Sequence, residues 1–83
     1  MNTELRDKVQ AVMNQVRTLP SNINDFDPAR IGLAADLGFG AFECQELARL
    51  LEEQLGIDVP ADEVDDDWYM LDEFYESVES HAE

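Results

Sequence analysis

Asp36-Leu37-Gly38-Phe39-Gly40-Ala41-Phe42-Glu43-Cys44-Gln45-Glu46-Leu47-Ala48-Arg49-Leu50-Leu51-Glu52-Glu53-Gln54-Leu55-Gly56-Ile57-Asp58-Val59-Pro60 is the stretch around which the chain is organised. Gly38 and Gly40 interrupt the backbone, a helix-forming run follows from about Ala41 to Gln54, and Gly56 stops it where a glycine just past a helix end belongs. This is one helix of about four turns. At about 100° per residue, Cys44, Leu47, Ala48, Leu51 and Leu55 share the face that packs inward, and Phe42, Glu46, Arg49 and Glu53 form the opposite stripe. An aromatic ring on the polar stripe has two fates. Phe42 either folds back under the loop of residues 18–40 or stays exposed as an anchor for a partner.

Upstream, Leu5, Val9, Val12, Met13 and Val16 recur at three- and four-residue steps and predict a helix over residues 3–17, with Asn2 or Thr3 as its cap. It ends by Leu19, because Pro20 disfavours helical geometry in the residue before it. The loop that follows is dense in turn formers from Ser21 to Pro28, while Phe26, Ile31, Leu33 and Leu37 are apolar groups able to pin it to a core. Downstream of Pro60, residues 61–67 are acidic and hold at most one short helical turn, with Val64 its inward anchor. A last helix is expected from near Trp68 to about Ser80, since Trp68, Leu71, Phe74, Tyr75 and Val78 keep helical spacing. Asp65, Asp66 and Asp67 would then sit near its positive N-terminal end. Trp68, Phe74 and Tyr75 read as core, and His81-Ala82-Glu83 as a frayed tail.

The 83 residues make one small domain, 1–83, with one modest core. No run approaches the roughly 18 apolar residues of a membrane span, and the N-terminus lacks the apolar region of a signal peptide, so a cytoplasmic location is expected. The single cysteine cannot form an internal disulfide. Charge is uneven: residues 1–30 balance four cations against four acids, so Arg49 and the remaining sixteen acids account for the whole net charge of −15. Such a field attracts basic protein surfaces and repels nucleic acid and anionic membranes.

Taken together, residues 36–60 resemble the centre of an acyl carrier protein. Asp36-Leu37-Gly38 fits the lead-in of that motif, Phe42 the apolar residue after the modified serine, Glu43 and Glu46 the first acidic positions, Leu51-Glu52-Glu53 the helix end, and Gly56-Ile57-Asp58-Val59-Pro60 the exit. The register puts Ala41 where the serine belongs. In the family that serine carries 4′-phosphopantetheine through a phosphodiester, and alanine has no oxygen to accept it. Gly40 replaces a common Asp, and Gln45 and Arg49 replace common apolar residues of the partner-facing side. The resemblance implies an all-α four-helix bundle of acyl-carrier-protein type, with three longer helices, one short helix and a long first loop. It also implies a protein that is not an enzyme but a carrier in fatty-acid, polyketide or related acyl metabolism, here unable to carry the arm. Expected partners are a phosphopantetheinyl transferase and acyl-processing enzymes with basic surfaces, contacted through Phe42, Glu43, Glu46, Arg49 and Glu53 by a monomeric protein. No cofactor is expected unless Ala41 is replaced by serine. Two histories fit, a serine exchanged for alanine or a natural homologue that binds carrier-recognising enzymes without cargo, and an acidic mimic of a carrier surface is the alternative from another class. The resemblance runs along nearly the whole chain, but only residues 36–60 are specific.

Other chemistry fails on its own terms. Asp62 to Glu73 spans the length of a calcium-binding EF-hand loop, yet Val64 falls on a ligand position and Asp67 where a glycine is needed, so no metal site is expected. Cys44 lies on the inward face, where cysteine acts as a small hydrophobe. His81 is the one histidine and sits in the tail, leaving no material for a Cys/His dyad or a zinc site.

Overall fold

The computed structural model describes residues 1–66 and 68–82, without the Asp66 side chain. The fold is all-α, with four helices: α1 (Thr3–Val16), α2 (Ala41–Leu55), α3 (Ala61–Asp66) and α4 (Leu71–His81). Two 3-10 turns, Ile23–Asp25 and Pro28–Arg30, punctuate the α1–α2 loop. Among the described residues there is no strand, only an isolated antiparallel bridge between Gly32 and Met70, and no helix is long and apolar enough to cross a membrane.

Each helix boundary has a local cause. Asn2 caps α1, its Oδ1 accepting from the Leu5 N–H at 2.8 Å. At the other end Asn14 Oδ1 accepts from the Leu19 N–H at 2.7 Å, which fixes the chain's turn out of the helix before Pro20. α2 ends as expected, with Gly56 in the left-handed conformation (φ 68°) and its N–H donating back to Glu52 O at 3.0 Å. The core that results is a single cluster centred on Val9, Met13, Leu33, Phe39, Leu47, Leu51, Leu71, Phe74 and Val78. α1 and α2 pack together, α3 lies on α2, and α4 lies on the second 3-10 turn.

α4 starts three residues later than the periodicity implies. The backbone just before α4 pairs with residues 31–33, Met70 being extended, with Leu33 N–H donating to Tyr69 O and Leu71 N–H to Ile31 O, both at 2.8 Å. Those bonds take the backbone out of helical geometry. Trp68 is nevertheless buried, edge-on to Phe74 with ring centroids 4.6 Å apart, so its spacing from the helix reflected a shared core and not a shared helix. Consequently Asp65 belongs to the end of α3, and Asp72 and Glu73 are the acids in the first turn of α4. Asp67, also expected there, lies outside the described residues, as does Glu83.

Two further expectations need correction. Phe26 does not pin the loop, since its ring is 51% exposed, and the work falls to Ile23, Ile31, Leu33 and Phe39 instead. His81 is not frayed: it closes α4, and its Nε2 lies 2.7 Å from Glu63 Oε2, while Ser77 Oγ donates to Glu63 Oε1 at 3.1 Å. Glu63 thereby ties α3 to α4, with Val64 buried beneath as expected.

Candidate functional site

The lead-in to α2 is a folded turn. Asp36 Oδ2 accepts from the Gly32 N–H at 2.6 Å, the Gly38 N–H donates to Ala34 O, and the Phe39 N–H donates to Leu33 O at 3.0 Å, so Asp36-Leu37-Gly38 closes a loop that drives Phe39 into the core. Gly38 has φ 78°, a left-handed conformation that favours glycine, whereas the space a Cβ would need is taken only by the flexible guanidinium end of Arg17. Phe39 is thus the anchor that aims the start of α2 away from the core.

Ala41 is the first residue of α2 and is exposed. Gly40 precedes it as the cap, with no side chain to bond the first-turn N–H groups. Glu43 reaches back, its Oε1 accepting from the Gly40 N–H at 3.1 Å, which is one half of a reciprocal cap. The N–H groups of the first turn have no intrahelical acceptor, and with the helix dipole they favour negative charge at position 41.

Phe42 stands beside it at 78% exposure, free of the 18–40 loop. Along the same stripe Arg49 lies between two carboxylates: its Nη2 and Nε donate to Glu46, the latter at 3.3 Å, and its Nη1 donates to Glu53 Oε2 at 2.6 Å. The hydrogen bond from Arg49 holds the Glu46 carboxyl below its ordinary pKa, and the same bond raises that of Arg49. The structure therefore brings Phe42, Glu46, Arg49 and Glu53 onto one exposed stripe, with Glu43 turned to the cap at its N-terminal end. On the opposite face Cys44, Leu47 and Leu51 are buried, with Ala48 and Leu55 partly so.

Cys44 Sγ donates to Phe39 O at 3.4 Å, and burial, with Glu43 and Asp65 nearby, pushes its pKa up to about 11. A thiol so placed is a poor nucleophile. Among the described residues no three or more His, Cys, Asp or Glu side chains converge as metal ligands, and residues 61–66 are helical where an EF-hand would need a loop. A groove of about 520 Å³ opens between Arg6, Phe26 and Tyr75, but no residue of the α2 stripe lines it.

Reading the sequence missed Phe39 and Ile23 as core and Tyr69, 62% exposed, as surface. Phe39 lies between two glycines and outside any helical period, so no periodic signal marked it. No family model, curated protein or solved structure matches the chain.

Proposed function

We propose that this chain is a carrier-type domain that presents the outward stripe of α2 to enzymes with basic docking surfaces, in a form without a covalent arm. The observation that carries the reading is Phe42, a large apolar ring 78% exposed at the open end of α2, directly after position 41 and in line with Glu46, Arg49 and Glu53. Phe26 and Tyr69 are also exposed, but Phe42 differs from them in lying at the end of a charged helix stripe, and an aromatic so placed has the make-up of an interface anchor with a polar rim. The net charge of −15 supports encounter with basic partners. The residue pattern of 36–60, with its resemblance to acyl carrier proteins, supports the choice of partner: a phosphopantetheinyl transferase or an acyl-processing enzyme. Ala41 precludes phosphodiester formation, so the chain as it stands binds such enzymes without accepting cargo from them.

Binding to an immobilised broad-specificity phosphopantetheinyl transferase tests this reading. The double variant Glu46→Lys, Glu53→Lys is expected to bind more weakly, chiefly through slower association with a shallower dependence on salt. Unchanged affinity with unchanged salt dependence would remove α2 as the docking face.

A further inference from the structure

On the outward stripe of α2 the order of groups is apolar, acidic, basic, acidic: Phe42, Glu46, Arg49, Glu53, each about one turn from the next. Arg49 is the lone cation after residue 30, and its guanidinium already occupies carboxylate oxygens of both Glu46 and Glu53. A guanidinium does not deprotonate in a protein, so this positive charge stays on the stripe at every working pH. A uniformly basic partner patch would meet it head-on. Such a patch would place one cation at each glutamate, about 10.5 Å apart along the helix axis, and a third against Arg49 between them, while competing with Arg49 for the same oxygens.

We infer that Arg49 is a specificity filter, and that the surface fitted by α2 alternates in sign: an apolar pocket for Phe42, then a cation, a carboxylate and a cation opposite Glu46, Arg49 and Glu53. The inference rests on α2 being the docking face, as proposed above, and adds which basic surfaces it accepts. With a carboxylate opposite Arg49, the guanidinium exchanges intramolecular acceptors for an intermolecular one, and both glutamates are released to the flanking cations. Without one, Arg49 must be pushed off its partners with nothing in return. The overall field of the protein draws in any basic surface, and Arg49 decides which of them stays.

The test uses two synthetic helical peptides of identical composition and net charge, sharing one apolar anchor. One carries Lys-Glu-Lys at positions a turn apart, and the other carries Lys-Lys-Lys there with the Glu moved to its far end. Affinities are read from amide chemical shifts of the full chain, which also report whether α2 is the surface touched. The expected result is a preference of about two- to fivefold for the alternating peptide, as one exposed ion pair supports. Arg49→Leu should abolish or reverse that preference, whereas Arg30→Leu, which removes the same charge from a residue without an ion pair among the described residues, should leave it intact. Circular dichroism checks that both variants stay folded. Equal binding of the two peptides, a preference that survives Arg49→Leu, or shifts that avoid α2 would each overturn the inference. The transferase experiment is read independently, so failure here with salt-steered transferase binding intact strikes the filter and spares the docking face.

Discussion

Cys44 and Phe42 sit two residues apart on α2 and have opposite fates, because the helix turns one to the core and the other to water. For Cys44 the consequence is chemical. With its pKa pushed up to about 11, only about one thiol in a thousand is ionised at pH 8, and the Sγ is enclosed as well. Ellman's reagent at pH 8 should therefore react with the folded protein far more slowly than with the protein in guanidinium chloride. Equal rates would show that Cys44 is not held inside. The burial of Cys44 was legible in the sequence, since the period of α2 assigns the faces directly; for Phe42 the period gave the outward face but left open whether the ring folded under the loop of residues 18–40 or stayed in water. Phe26 was not legible in the same way: in a loop no period assigns a face, and an apolar residue there can as easily remain on the surface. The use of Glu43 was also hidden, because its bond to the Gly40 N–H depends on where the helix begins to the residue.

The elements are bounded by backbone devices, and these divide into those written locally and those imposed by distant partners. The end of α2 is local. Gly56 holds φ 68° with open space where a Cβ would go, so Gly56→Ala adds no clash and costs only the strain of a left-handed alanine, roughly 1 kcal/mol. For a domain of this size that lowers Tm by about 4–8 °C. A Tm unchanged by the substitution would mean that the helix end can relax elsewhere. The start of α4 is not local. Trp68 obeys the helical period, yet residues 69–71 are claimed by backbone bonds to residues 31–33, and no residue in the segment announces that pairing. The same holds for His81. Its contact with Glu63 joins the last turn of α4 to α3 across 18 positions of sequence, which a reading along the chain takes for a loose tail.

At the scale of the molecule, the charge is nearly all on one half of the sequence, and like charges on a small domain repel one another. Added salt screens this repulsion, so Tm near pH 7 should rise from low ionic strength to about 0.15 M, where the Debye length is roughly 8 Å. A flat Tm over that range would show that the carboxylates are spaced or paired well enough not to interact. The all-α class and the order of three longer helices and one short one were readable because α1 and α2 have strong periods and clear stops. The path of the long α1–α2 loop was not readable, since it is set by Ile23, Ile31, Leu33 and Phe39 meeting a core built from the rest of the chain. That loop is what carries position 41 to the surface.

If position 41 stands where a carrier protein bears its arm, as proposed, intact-mass spectrometry after incubation with coenzyme A and broad-specificity phosphopantetheinyl transferases will report it. A phosphodiester needs a side-chain oxygen, and the open first turn of α2 favours the phosphate that would follow. The Ala41→Ser variant should gain the mass of one phosphopantetheine, and the protein with Ala41 should gain none. Modification of the Ala41 protein would contradict the register, and an unmodified Ala41→Ser variant that remains folded would contradict the assignment of this position as a carrier site.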